Sequence, residues 1–435
     1  MTICLVTDNF PPDIGGVGIF YRHLSRILTA AGHKVIVLCA GKGNGEDEVA
    51  QENGITVIRL HKDYNKYYQR YKVYFRPGGH DAPHWLAMGM CVREWLIQNA
   101  RGNRIDIIEV SDYGGLGFFL LHPFIPPYVV TANSALLQLQ SYSNFSETDH
   151  TKLLKQLESL SFRYANRVLA HSTLNQSSLE ENIKRRVELI RAPWSGLEAQ
   201  YPTSESAPPL VVGGLQATKG AIYMAAVVEE IVRKDPSFVM HWIGYDSYTA
   251  PTGELMSVFL ARHYQEIWNK NFIWLGEKTH EETLKALAAA SLVIIPSVWE
   301  TFSYVAIEAS ALQKPMILTA TTGAAYLFEQ GKSALIVSPE NKQAFATAII
   351  QLLQNLAMGK GIGQHTSTVL DQLHPSVTVP ERLKIYHEVI DASIRQGDVF
   401  EREFRFINTY LTPARKLYFS ARAALKRIIK KDVGA

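Results

Sequence analysis

At 435 residues, with 47% apolar and 20% charged residues, the chain exceeds what one hydrophobic core usually serves, and its composition excludes a fibrous or extensively disordered protein. A formal net charge of +3 is close to neutral at this size and argues against a nucleic-acid binder. Cys4, Cys39 and Cys91 form no CxxC or Cys/His cluster, which points to a reducing compartment and away from a disulfide frame or zinc site.

The first ten residues, "MTICLVTDNF", read as a buried strand rather than an export leader, so a cytoplasmic location is expected. No window reaches eighteen uncharged apolar residues, so no membrane span is expected. From there short apolar runs alternate with helical periods: "ICLVT", a helix from about Tyr21 to Ala31, "KVIVLCA", "ITVIRL", a helix near Trp85 to Asn99, "DIIEV" and "PYVVTA". A second series runs through "PLVVGGL", "FVMHWIG", "NFIWLG", "LVIIPS", "PMILTA" and "ALIVS". Unbroken apolar strands separated by helices require a parallel sheet covered on both faces. The expectation is therefore an α/β protein of two Rossmann-like doubly wound domains, residues 1–195 and 209–376. A Pro/Ser-rich linker at 196–208 joins them, a helix at 377–394 crosses back to the first domain, and a tail follows at 395–435.

Ligands of open parallel sheets collect at the carboxyl ends of the strands, and three stretches there attract attention. "DNFPPDIGGVGIFYRHL" places Gly15, Gly16 and Gly18 at a helix start, where bare N–H groups favour an anion. It is not the dinucleotide fingerprint, because GxGxxG needs a glycine where Tyr21 stands, which disfavours an NAD-dependent oxidoreductase. "VVGGLQATKG" places Lys219 and Gly220 between a strand and a helix; the lysine is either a diphosphate contact or a solvated turn residue. "WETFSYVAIEAS" offers the backbone of Thr301, Phe302 and Ser303 at a helix mouth, with Ser303 as a cap before Tyr304. Glu308 lies about 7 Å further along that helix. That separation matches a phosphate-to-ribose span, and Glu300 on the loop is left free to meet a sugar; the alternative is a surface carboxylate in each case.

The stretch "PSVWETFSYVAIEASALQKPMILTATTGAAYLFEQGKSALIVSPEN", with two glutamates separated by seven residues, resembles the nucleotide-sugar motif of the retaining glycosyltransferases of family 4. "NFPPDIGGVGIFYRHLSRILTAAGHKVIVLCAG" and "GGLQATKG" resemble that family's opening and second-domain entry, and the order fits over roughly residues 1 to 390. The resemblance implies a GT-B fold. It also implies a donor site in which Glu308 holds the ribose, Glu300 the donor sugar, and Lys219 with backbone groups at Gly15, Gly16 and Thr301 to Tyr304 the diphosphate. Catalysis in such an enzyme is front-face transfer that retains configuration, with no cofactor and no obligatory divalent ion; no DxD triplet occurs in the chain.

Two positions depart from the family pattern. Gly214 stands where arginine is usual, with Lys278 as a candidate replacement cation, and Asn133 stands where histidine is usual. An amide bonds a sugar hydroxyl but takes no proton. These departures keep a second reading open: a non-catalytic sugar-nucleotide or glycan-binding partner of an active transferase.

The stretch from His61 to Trp85 interleaves Tyr and Trp with Lys and Arg without clear period; it is read either as an acceptor-side loop that stacks sugars or as a surface insertion. The final segment aligns Leu417, Ala421, Ala424, Leu425 and Ile428 on one helical face beside Arg415, Arg422, Lys426 and Lys430. Such a helix lies on its own domain or on an anionic membrane surface, the latter suiting a lipid-linked acceptor and cell-envelope polysaccharide synthesis.

Overall fold

The computed structural model describes residues 1–392 apart from 13–14, 42–44, 77–80, 140–141, 143–146 and 205–206. The basic tail therefore lies outside the described residues.

The chain begins with β1 (Thr2–Val6), α1 (Gly16–Ala30), β2 (Lys34–Ala40), β3 (Glu48–Glu52), β4 (Ile55–Leu60), α2 (Tyr64–Lys72) and α3 (Ala82–Asn99). It continues with β5 (Ile107–Ser111), β6 (Tyr128–Thr131), α4 (Leu136–Leu139), α5 (Asp149–Tyr164), β7 (Arg167–Ala170), α6 (Thr173–Ile183) and β8 (Glu188–Leu189). These strands form one sheet in the order β3-β4-β2-β1-β5-β6-β7-β8. All pairs are parallel except the β3–β4 edge. Every residue of β5 and β6 is buried, because helices cover both faces and leave no side for alternating polar residues.

The second unit follows the same plan with β9 (Leu210–Val212), α7 (Ala221–Val232), β10 (Met240–Ile243), α8 (Met256–His263), β11 (Phe272–Trp274) and α9 (His280–Ala289). Next come β12 (Val293–Ile295), α10 (Tyr304–Ala311), β13 (Met316–Thr319), β14 (Leu335–Val337), α11 (Lys342–Gln354), α12 (Leu356–Thr366) and α13 (Val369–Gln372). Its strands run parallel in the order β11-β10-β9-β12-β13-β14. Strand order reverses beside β1 in the first sheet and beside β9 in the second, which places a ligand crevice at the carboxyl ends of each.

The final described helix, α14 (Pro375–Asp391), returns to the first domain. Its Val379, Ile385, Tyr386 and Val389 share a core with Ile3, Leu5, Phe20 and Leu24. Within that core Arg382 donates to both carboxylate oxygens of Glu109 on β5, at 2.7 and 2.6 Å. Tyr386 and Thr131 also donate to Glu109.

Three local features differ from the periodic reading. Helix α1 starts at Gly16, not near Tyr21, because the glycines of its first turn carry no apolar signal. The edge strand β3 is mostly exposed and shows no apolar run. The aromatic-basic stretch contains α2, in which Tyr64, Tyr67, Tyr68 and Tyr71 recur at helical spacing and Tyr67 and Tyr71 are buried. Between β8 and β9 the described chain has no helix or strand of three residues or more, yet Ala192 and Trp194 are buried in the second-domain core.

Replacing Arg382 with Met strands a buried carboxylate, and breaking such a pair costs about 3–5 kcal/mol. R382M should therefore lower the urea midpoint, read by tryptophan fluorescence, far more than the double variant E109L/R382M; equal losses would contradict the pairing. A second expectation concerns Glu158, which is fully buried and accepts from the N–H groups of Gly114, Leu136 and Leu137. Burial, then the charge of Asp112, push its carboxyl up from 4.5 to about 8 against the pull of those donors. A raised folded-state pKa means stability that is complete below about pH 4.5 and lost as pH rises through 8. The melting temperature should fall across that window, and E158Q should flatten its upper part; an unchanged profile would contradict the assignment.

Candidate active site

The turn from β12 into α10 is fixed by its carbonyl groups. Glu300 O accepts from Gly323 N at 2.8 Å, Thr301 O from Ser172 Oγ at 2.6 Å, and Phe302 O from Ala324 N at 2.7 Å. Among the described residues none accepts a hydrogen bond from the N–H of Thr301, Phe302 or Ser303. Free amides at a helix start, backed by the helix dipole, form an anion site.

Ser303 does occupy the position before α10, but it does not cap the helix with its side chain. Its backbone sits at φ 102° and ψ 95°, outside the extended region that capping residues adopt. The hydroxyl is buried without a hydrogen-bond partner. A non-glycine residue held there costs on the order of 1–3 kcal/mol, and strain of that kind concentrates at ligand clamps.

Lys219 and Glu300 meet across the cleft edge of the second domain, Nζ to Oε1, at 2.5 Å. Ser297 Oγ donates to Glu300 Oε2 at 2.7 Å. Glu300 is thus not left free as its loop position suggested: both oxygens are engaged, because opposite charges this close pair. The turn that delivers Lys219 requires Gly220, whose φ is 83° and where a Cβ would fall 2.1 Å from Pro296 O.

Glu308 is buried on α10 and accepts from His280 Nε2 at 2.7 Å. Arg22 of α1 donates to His280 Nδ1 at 2.9 Å, so the ring presents its Nε2–H to the carboxylate. Arg22 and Arg26 both pair with Glu198, at 2.9 and 3.0 Å. Burial, ahead of the opposing pull of Glu198, lowers the Arg22 pKa. This chain of contacts links the opening helix of the first domain to the carboxylate of the second. Neither Arg22 nor His280 was singled out from sequence; the available signal for His280 was its place just past the carboxyl end of β11.

From the first domain, Gly15 (φ 152°) and Gly16 begin α1, and a Cβ at either would meet nothing within 4 Å. Asn133 O accepts from Thr301 Oγ1 at 2.5 Å, which seats the end of β6 directly beside Glu300. Tyr304 lies with its backbone at the helix mouth and its ring in the domain interface, stacked on His23 at 5.2 Å with its hydroxyl on Pro193 O. Phe302 is buried in the second-domain core. At Gly214 a Cβ would come within 2.9 Å of the Tyr245 ring, and Gln216 Nε2 donates to the Tyr245 hydroxyl at 2.8 Å. Those two side chains fill the space into which a side chain at 214 would emerge. Lys278 is exposed on the loop before α9, and among the described residues no hydrogen bond or ion pair brings it to Lys219 or Glu300.

Comparison with known proteins places this geometry. Residues 14–192 match the family described as Glycosyltransferase Family 4, and residues 209–355 match Glycosyl transferases group 1. The glycogen synthase of Mycobacterium tuberculosis H37Rv is 24% identical over 388 residues, covering 82% of this chain and 87% of that protein. Among solved structures, the sucrose-phosphate synthase of Thermosynechococcus elongatus superposes with a TM-score of 0.70 at 20% identity, over 90% of this chain and 100% of that one. The UDP-forming α,α-trehalose-phosphate synthase of Burkholderia vietnamiensis gives 0.64 at 14% identity, over 90% and 98%. The two facing parallel-sheet domains are the GT-B fold, and with both domain families matched in order along one chain, the protein belongs to the glycosyltransferases of family 4.

Proposed function

We propose that the protein is a retaining glycosyltransferase that moves a sugar from a UDP- or GDP-sugar to a glycan or lipid-linked acceptor. The observation that carries this reading is the mouth of α10: three successive residues there have uncommitted backbone N–H groups, the Ser303 hydroxyl is buried without a partner, and the buried Glu308 carboxylate lies a turn and a half further on. A diphosphate at the amides sets the ribose hydroxyls against Glu308. UDP-forming chemistry in the name of the Burkholderia relative agrees with this class of donor.

In the free protein Lys219 and Glu300 neutralise each other. Donor entry exchanges partners: the diphosphate takes the ammonium, and hydroxyls of the donor sugar bond Glu300. Gly15 and Gly16 approach the diphosphate from the first domain, and Asn133, beside Thr301, faces the reacting end. As the glycosidic bond breaks, negative charge grows on the departing phosphate, and donors already in position stabilise it. The acceptor proton leaves with that phosphate, so the scheme needs no resident cofactor and no divalent ion.

Tyr245 and Gln216, filling the space beside Gly214, favour one rival: a donor-binding partner without turnover. Transfer and donor hydrolysis across a panel of UDP- and GDP-sugars separate the two, since a binder shows affinity without product. No described helix is long and apolar enough to cross a membrane; we place the enzyme in the cytoplasm, with residues 395–435 touching an anionic bilayer where the acceptor is lipid-linked.

Calorimetric titration should show E308A raising the donor Kd at least tenfold, and K219A should lower kcat by about 100 to 1,000-fold; unchanged constants in both variants would overturn the site. S303G should raise the melting temperature, because glycine accepts the positive φ without strain. It should also weaken donor binding, because the clamp hydroxyl is gone. A variant that is both more stable and equally avid would show that Ser303 plays no part in the site.

A further inference from the structure

On the acceptor side of the same cleft lies a second constellation, and its interpretation rests on the transferase reading above. Asp8 follows β1, while Asp112 and Tyr113 follow β5, the two strands that flank the switch point of the first sheet. Asp8 Oδ1 lies 2.7 Å from His84 Nε2, and His84 Nδ1 lies 2.7 Å from the Tyr64 hydroxyl. With Tyr64 donating to Nδ1, the ring donates to Asp8. The relay fixes the carboxylate while its other oxygen takes no bond from any described residue. Both Asp8 and His84 remain one-fifth exposed.

The ring of Trp85 meets His84 at 5.2 Å and Tyr113 at 5.1 Å, extending the relay into an aromatic wall. Burial, then the nearby Glu158, Asp112 and Asp8 carboxyl groups, raise the pKa of the Tyr113 hydroxyl. Asp112 is fully buried, with Oδ2 on Ser134 N at 3.0 Å and Oδ1 unpartnered. Ser134 follows Asn133, which touches Thr301 beside Glu300, so this wall abuts the donor site. No described lysine or arginine contacts Asp8, His84, Tyr64, Trp85 or Asp112.

We infer that Asp8, positioned by His84 and Tyr64, accepts a hydroxyl of an uncharged sugar packed on Trp85 and Tyr113, and that the acceptor is the unphosphorylated end of a glycan. A carboxylate beside an aromatic face suits a ring rich in hydroxyl and C–H groups. A phosphate dianion needs cations or free amides, and here it would meet the Asp8 carboxylate instead, with the buried Asp112 behind it.

Saturation-transfer NMR in the presence of UDP, with glucose, mannose, maltose and maltotetraose set against glucose 6-phosphate and myo-inositol 1-phosphate, reads acceptor binding without requiring turnover. Neutral probes should bind at least tenfold more tightly than phosphorylated ones. D8N should raise the acceptor Kd at least tenfold with the UDP Kd held within twofold, and H84Q should retain more acceptor affinity than H84A. Tighter binding of either phosphorylated probe, no binding of any neutral probe, or a D8N protein that binds acceptor normally would overturn the inference. Failure of the wild-type protein to bind any UDP- or GDP-sugar would instead overturn the transferase reading on which it rests.

Discussion

The segment from Ser297 to Ser303 is held rigidly while the N–H groups of Thr301, Phe302 and Ser303 find no acceptor among the described residues, and much of the surrounding structure serves that arrangement. Neighbouring strands and turns bind its carbonyls, and Thr301 is gripped twice by the first domain, through Asn133 O and Ser172 Oγ. The same grip brings the lobes together, so the mouth of α10 and the contact between the domains are one feature. Ser303 retains a strained backbone there because fixed neighbours on both sides over-determine it. Farther away, Arg382 and Glu109 pin the returning helix to the central strand of the first sheet, which limits how freely one lobe can move on the other.

Carboxylates in the cleft are each met by a donor, two of them by cations and one by a neutral imidazole. Lys219 with Glu300, His280 with Glu308, and Arg22 with Glu198 each bring a donor to a carboxylate. Such pairs keep a partly buried cleft from carrying isolated charges, whose desolvation is expensive. On the proposed function, they also give an incoming sugar nucleotide partners to exchange with, so that binding replaces contacts instead of creating them from bare ions. The chain Arg26–Glu198–Arg22–His280–Glu308 spans both domains, and through it the position of α1 is coupled to the carboxylate assigned to the ribose.

Much of the architecture was legible because buried parallel strands announce themselves as unbroken apolar runs, as in "KVIVLCA" and "LVIIPS". The positions of Lys219, Glu300 and Glu308 followed from their places after strands. What the sequence concealed was conformation and long-range pairing. A serine before a helix reads as a cap, and only its φ of 102° shows that it is not acting as one. Arg22 and His280 are 258 residues apart, and no local pattern connects them. Helix α2 was hidden for a different reason: its four tyrosines keep helical spacing, but the Lys, Arg and Asn between them mask the apolar stripe. That helix carries Tyr64 to His84, within the stretch that the sequence leaves open as an acceptor-side loop or a surface insertion.

The central claim, that the mouth of α10 receives a sugar-nucleotide diphosphate, is tested most directly by crystal structures of the protein with UDP and with GDP bound. The account predicts phosphate oxygens within about 2.7–3.2 Å of the N–H groups of Phe302 and Ser303, with the ribose hydroxyls on Glu308. A nucleotide bound elsewhere, or bound with those amides untouched, would contradict it.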